Sequence, residues 1–415
     1  MTIKMRILKV IHLFLLQILY LERRLEPWFR PQLNWLFQEP GTRFVQFLVS
    51  LRRKRVEGLK IAEETIDPDE VESLNRIIDL MADQMRGRFK PGGYERGGNT
   101  KTHGVMKATF TVRDDIPEHC RIGIFAKPKT YKAYVRYAGP GPNVPSDIQD
   151  VGFLSMSVKV MGVPGKKLME DKNLQKKYGL FADSIEKFTQ DFITTSGGAT
   201  FVTPNTRENA KLQYWSLVDM TLYYFLNPFD SHLVDMMTHA LWNETKYNPL
   251  GDRYWSCTPY LLGEGQAVMY SFVPKTKDLY TKIPGLPFGK VPFNYLRENM
   301  IKTLNEKDVE FDLMVQLQTD PHLMPIEDSS VRWPEKLSPF IPVATVHIPK
   351  QQFQSEKMID FTKKIKLNPW HCLPEHRPLG NLNRARFRLY STLSRFRQEM
   401  NKVEHLEPTG DEVFD

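Results

Sequence analysis

Apolar positions recur at helical spacing over residues 67–86, "DPDEVESLNRIIDLMADQMR", where Val71, Leu74, Ile77, Ile78, Met81 and Met85 share one face. Asp67 suits the N-cap and Pro68 the first helical position, so a helix is predicted there. A glycine-rich break, "PGGYERGGN" at 91–99, ends that regime. Short segments rich in β-branched and aromatic residues follow, at 105–112, 121–126, 131–138, 154–163, 197–203, 263–273, 310–319 and 340–348. Gly, Pro and Asp turns separate them, so they read as strands. Helical stretches are expected at 204–225 and 229–245, and a last helix from about Leu382. This order predicts an α+β fold: an antiparallel β-barrel with helical insertions and helical N- and C-terminal segments. The expected division is a helical segment at 1–60, one domain at 61–402, and a loose acidic tail at 403–415.

The first segment changes the picture. Lys4, Arg6 and Lys9 precede the apolar run "VIHLFLLQILYL" at 10–21, and no small-x-small cleavage site follows. Twelve apolar residues are too few for a bilayer span, which needs ~20. Two readings stay open: a helix packed on the body or on another subunit, and an anchor lying in the lipid interface. Arg23, Arg24, Trp28, Arg30 and "RRKR" at 52–55 suit anionic headgroups. The net charge of +8 favours anionic partners, yet no nucleic-acid-binding pattern is present. Three distant cysteines, Cys120, Cys257 and Cys372, argue against a disulfide framework and for an intracellular, reducing compartment, with peripheral membrane contact as an option.

Candidate chemistry centres on "RARFRLY" at 384–390. Arg386 and Tyr390 are four apart, hence neighbours on one helix face. A nearby guanidinium favours the phenolate, a hard oxygen donor that suits ferric iron. An exposed tyrosine on a basic, polyanion-binding helix is the plainer alternative. His103, in "NTKTHG" at 99–104, follows the glycine-rich loop and precedes a strand. It could move protons on a peroxide or merely sit in a polar turn. His371, Cys372 and His376 lack a fourth ligand at zinc spacing. "GVPGKK" at 162–167 lacks the phosphate-loop pattern.

Taken in order, the segments from Gly92 to about Gln398 resemble the catalase superfamily, and more closely its small haem-protein branch related to coral allene oxide synthase. The matching pieces are His103 before "GVMKATFTV", "VRYAG" with Arg136, "DFITTSGGATFV", "GEGQAVMYSF", "VRWPEKLSPFIPVATVHI" and "NPWHCLPEHRPLGNLNRARFRLY". The resemblance implies haem b with ferric iron, Tyr390 as its axial ligand and Arg386 holding the phenolate. It implies His103 as the distal acid/base residue, Arg136 as a propionate partner and Phe201 near the haem face. Thr102 stands where catalases have valine, and its hydroxyl is expected to restrain His103. Ser196 or Thr195 stands where they have a distal asparagine; Thr100 and Ala138 replace an arginine and a serine. The C-terminal helical domain of full catalases is expected to be absent. These departures favour a lipid hydroperoxide substrate, converted as by an allene oxide synthase, isomerase or lyase. A haem peroxidase or weak catalase is the enzymatic rival. A non-enzymatic, membrane-associated haem or lipid carrier is the rival of another class. A homo-oligomer is compatible with each.

Overall fold

In the computed structural model, which describes residues 3–178 and 185–414, the alternating segments close into a barrel. Its strands are β1 (Thr102–Val112), β2 (Thr130–Ala138), β3 (Ser155–Met161), β4 (Thr189–Thr195), β5 (Tyr254–Trp255), β7 (Ala267–Pro274), β8 (Val309–Leu317) and β9 (Ile341–Ile348). Each pairs antiparallel with the next around the ring, β5-β4-β3-β2-β1-β9-β8-β7, and β5 pairs with β7 to close it. The short β6 (Tyr260–Leu261) adds to one end of β7. Closure leaves the eight ring strands without a free hydrogen-bonding edge.

The period-2 pattern sends one face of each strand into the barrel. Met106, Ala108, Phe110 and Val112 of β1 pack with Val135, Tyr137, Val158, Phe192, Phe272, Phe311 and Val346. Full burial of each such phenylalanine contributes roughly 1.5–3 kcal/mol. The opposite face of β2 carries Tyr134 and Arg136. Tyr134 packs with Phe361 and Ile365 outside the barrel.

Two expected strands are not strands. Residues 121–126 form 3-10 turns, because Gly123 adopts φ +57° and the backbone N–H of Ile124 donates to His376 Nε2 at 3.0 Å. Ile124 and Phe125 are nevertheless buried, so their hydrophobicity reflects the core rather than a sheet. Residues 197–203 run unpaired past β4, with Gly198 at φ +88°. The helix expected from 67 begins later: α3 spans Glu70–Arg88, and the Asp67 side chain instead accepts from the backbone N–H of Asp69. The helical stretch from 204 to 245 is three helices, α5 (Thr206–Leu217), α6 (Thr221–Leu226) and α7 (Leu233–Ala240), the first two separated at Asp219 with φ +56°.

Between β3 and β4 lies α4 (Lys172–Tyr178), and before β8 lies α8 (Tyr295–Glu306). At the N-terminal end α1 (Ile3–Leu33), a π-helical turn (Asn34–Gln38) and α2 (Glu39–Leu51) form one long helical run. Pro27 and Pro31 lie inside α1, and the π turn follows them directly, as expected where proline removes ladder hydrogen bonds. After β9 come α9 (Glu356–Lys364) and α10 (Asn381–Asn401), the latter starting one residue before the expected Leu382. Residues 403–414 are tied down rather than loose. Leu406 bridges to Ile365, Glu407 accepts from the N–H groups of Lys187 and Phe188, and the Tyr134 hydroxyl donates to Glu412 at 2.6 Å.

Candidate functional site

His103 is the extra residue of a β-bulge. Thr102 faces Ala138 while Gly104 already faces Tyr137, so the register shifts across His103. A bulge re-aims its side chain out of the strand's alternation. The imidazole is 1% exposed, and neither ring nitrogen has a hydrogen-bond partner among the described residues. Asp147 Oδ1 lies 3.8 Å from Nδ1 and accepts an ion pair from Lys101 at 2.6 Å. Arg297 donates to the carbonyls of Thr102 and His103, fixing the bulge from behind. Burial, with the charges of Lys101, Arg297 and Arg136, holds the imidazole well below its usual range, so it is neutral at physiological pH. A buried imidazole with two unpaired nitrogens is costly, which marks a place where a ligand or water belongs.

The expected restraint of His103 by Thr102 is not found. The Thr102 hydroxyl accepts from Arg136 at 2.7 Å. Arg136 is 2% exposed, donates also to the Asn99 carbonyl at 2.6 Å, and keeps Nε unpartnered. Two further guanidiniums approach it. Arg96 donates to the carbonyls of Thr362 and Ile365, and Arg397 to that of Lys363, so both sit at the C-terminal end of α9. Burial and then the charge of Arg397 lower Arg136 to about 10; burial likewise lowers Arg397 to about 10. Among the described residues no carboxylate stands within ion-pair distance of any of the three; Glu95 offsets all three at longer range, and Tyr390 also acts on Arg136.

Tyr390 and Arg386 share one face of α10, as their spacing predicts. Arg386 donates to Thr258 Oγ1 and to Asn383 Oδ1, both at 3.0 Å, and its guanidinium stacks 5.3 Å from the centre of the Phe201 ring. No hydrogen bond joins it to Tyr390 among the described residues, so the expected direct clasp on the phenol is replaced by one on Thr258 and Asn383. Tyr390 is half-buried, and its hydroxyl is near enough to Arg136 and Tyr260 to act on both electrostatically. Arg136 therefore lies within electrostatic reach of His103 on one side and of Tyr390 on the other. Arg136 thus links His103 and Tyr390 electrostatically, while Arg386 lies one helical turn before the tyrosine and Phe201 packs on the Arg386 guanidinium.

This donor set fits the group that the sequence resemblance implies. A haem presents two carboxylates, a flat apolar face and an iron that takes an oxygen donor. Guanidiniums lacking acid partners suit the carboxylates, because an anion between them removes their mutual repulsion.

The remaining arginines of "RARFRLY" are structural. Arg384 binds Glu64, Glu70 and Glu327 at 2.6–2.9 Å, and Arg388 donates to Asn75. His371, Cys372 and His376 do not converge as a metal site. His371 Nδ1 lies 3.0 Å from Asp191 and 3.2 Å from Glu186, whereas His376 serves Ile124 and Tyr270. Glu186, Asp191 and His371 could in principle hold an ion, but the buried ammonium of Lys159 already bonds both carboxylates. Ser196 and Thr195 do not stand in for a distal amide. The Ser196 hydroxyl accepts from the N–H of Leu154, and Thr195 lies 3.3 Å from Cys257 Sγ.

Sequence reasoning assigned no role to Arg96, Asp147, Lys101, Arg297 or Arg397. Arg397 follows Tyr390 by seven residues and so returns to the same helix face, a signal that was available. No family model matches the chain, and no curated protein does. Among solved structures the chain is similar to a fungal catalase, with a TM-score of 0.57 and 12% identity over 87% of this chain and 70% of that one. It is also similar to catalase A from Saccharomyces cerevisiae, with a TM-score of 0.56 and 12% identity over 88% and 72%. A bacterial catalase gives a TM-score of 0.51 and 14% identity over 85% and 67%. At these identities the likeness is one of fold, and the chain has the catalase-like fold: a closed eight-stranded antiparallel barrel with helical segments.

Proposed function

We propose that the protein binds haem and acts on hydroperoxides, with fatty acid hydroperoxides as the substrate class. One observation carries this reading: Arg96, Arg136 and Arg397 meet no carboxylate among the described residues, and the charge of Arg136 is felt by both the bare imidazole of His103 and the half-buried Tyr390. Bound haem supplies an iron centre that can exchange electrons with a peroxide bond. The three guanidiniums would anchor its carboxylates, Phe201 would contribute an apolar wall, and Tyr390 would offer the iron an oxygen donor. Neutral His103 accepts the hydroperoxide proton at Nε2 and later returns it, while Nδ1 faces Asp147. Arg136 and Arg297 fix the backbone and hydroxyl around that imidazole, so its aim does not depend on substrate.

Two features favour an organic hydroperoxide over hydrogen peroxide. No amide stands beside His103 among the described residues, and the N-terminal helix presents a broad apolar face, described below. Thr102 no longer supports the distinction, since Arg136 occupies its hydroxyl. The test is haem reconstitution of the purified chain, followed by parallel addition of hydrogen peroxide and a fatty acid hydroperoxide. Consumption of the lipid hydroperoxide without an added reductant supports isomerase-type chemistry, a need for an electron donor supports a peroxidase, and rapid oxygen release supports a catalase. Failure to take up haem refutes the reading.

A further inference from the structure

The helical run from Ile3 to Leu51 is built inside out. Between Arg23 and Gln46 one stripe of its polar residues faces the protein. Arg23 bonds the Val151 carbonyl and Glu26, Glu26 accepts from Thr245, and Arg30 donates to the carbonyls of Ala240 and Asn243. Asn34 donates to Glu244, Gln38 to the Leu241 carbonyl and Gln46 to that of Ser330. These positions recur every three to four residues, so one continuous polar stripe docks the helix on the body.

The opposite stripe is apolar and open. Phe14, Ile18, Leu21, Trp28, Trp35 and Phe44 are 48–83% exposed, Trp35 the most. A contiguous apolar face of this kind marks an interaction surface rather than ordinary scatter. Among the described residues no helix is both long and apolar enough to cross a membrane.

Charge identifies the occupant. Residues 1–60 hold twelve Lys and Arg against four Glu, an excess of eight that equals the net +8 of the whole chain. Everything after residue 60 is therefore balanced. Five of these cations, Arg23, Arg24, Arg30, Arg52 and Arg53, are bonded to the body, whereas Arg6 and Arg43 on this run and Lys54 and Arg55 just after it are exposed. Concentrated positive charge beside exposed tryptophans is what an anionic membrane surface attracts, with the rings at headgroup level.

We propose that the helical run from Ile3 to Leu51 lies in the plane of a bilayer carrying anionic lipids, with its apolar stripe inserted and its polar stripe holding the barrel against the surface. This is independent of the haem reading and holds for the haem-free chain. The test is sedimentation of the full chain with vesicles of phosphatidylcholine alone and of phosphatidylcholine with phosphatidylserine. The expected result is co-sedimentation with the anionic vesicles, weakened by salt, and a loss of about tenfold or more in affinity for the Trp35→Glu/Phe44→Glu variant. Both positions are exposed, so circular dichroism should show the variant folded like the parent. The proposal is overturned if the parent stays in the supernatant with both vesicle types, or if the variant pellets as the parent does. It is also overturned if light scattering without lipid shows a dimer that the variant splits, because a second copy then covers the face.

Discussion

The Arg136 guanidinium donates to the Thr102 hydroxyl at 2.7 Å, which ties the strand β2 arginine to the residue next to His103. The proposed anion site and the proposed proton site thus share one support. Removing Arg136 should disturb the aim of His103 as well as the binding of a carboxylate. Arg136→Met should therefore lower both haem retention and turnover. Its effect on the haem-free chain should have the opposite sign. The folded-state value of Arg136 is depressed to about 10, below the ordinary guanidinium range, so a charged Arg136 destabilises the fold throughout the neutral range. Replacing it by an apolar side chain should stabilise the haem-free protein by roughly 1–3 kcal/mol in urea unfolding. A less stable haem-free variant would contradict this account of the arginine.

Tyr390→Phe removes only the phenol oxygen from a half-buried position. Apo stability should change by less than about 1 kcal/mol. After haem reconstitution, the visible spectrum should lose the features of an oxygen-ligated ferric haem. An identical spectrum in variant and parent would exclude Tyr390 as ligand.

His103→Gln should keep haem bound and slow hydroperoxide turnover by about 10²–10⁴-fold, the usual worth of a general acid/base. The parent's rate should be flat through neutral pH and fall only in acid, because burial keeps His103 neutral until well below its usual range. A rate that instead rises through pH 6–7 would place the titrating group elsewhere.

The buried His371 gives a separate pH signature. Burial opposes its charge, yet Glu186 and Asp191 raise it to about 9. A raised value contributes stability that is complete below the unfolded value of ~6.5 and disappears as pH climbs through about 9. His371→Asn should thus cost of order 1–3 kcal/mol at pH 6 and much less at pH 10, read by denaturant unfolding at both.

Arg384 is only 6% exposed and answers three carboxylates, Glu64, Glu70 and Glu327. Arg384→Ala strands Glu70 and takes one cation from Glu64 and Glu327, which keep Arg377 and Asn381 respectively, and should destabilise by about 3 kcal/mol. If it instead left the melting temperature unchanged while weakening binding to an anionic polymer, the basic-tail reading of this helix would return.

What could be read from the chain was what repeats. The period of two in β1 and β2 and the four-residue step from Arg386 to Tyr390 survive in the structure because local geometry enforces them. Residues 121–126 misled because Ile124 and Phe125 are apolar for the sake of the core, with no strand pairing to show for it. The partner of Thr102 was invisible for another reason. An adjacent histidine is the obvious candidate in one dimension, whereas Arg136 arrives from the neighbouring strand. Arg96 gave no signal of its own, since only the fold carries it to Arg136 and Arg397.

Ring closure has a kinetic consequence. Thr109 of β1 pairs with His347 of β9, so the wall that carries both His103 and Arg136 cannot be completed from neighbouring stretches of chain. The candidate site then gathers Arg96 from before β1 and Tyr390 from after β9. With its sheet dominated by such distant pairings, the molecule should fold slowly for its size, and this site should be among the last features to mature. No fragment that stops short of β9 retains the barrel, so a truncated product could not compete for the ligand.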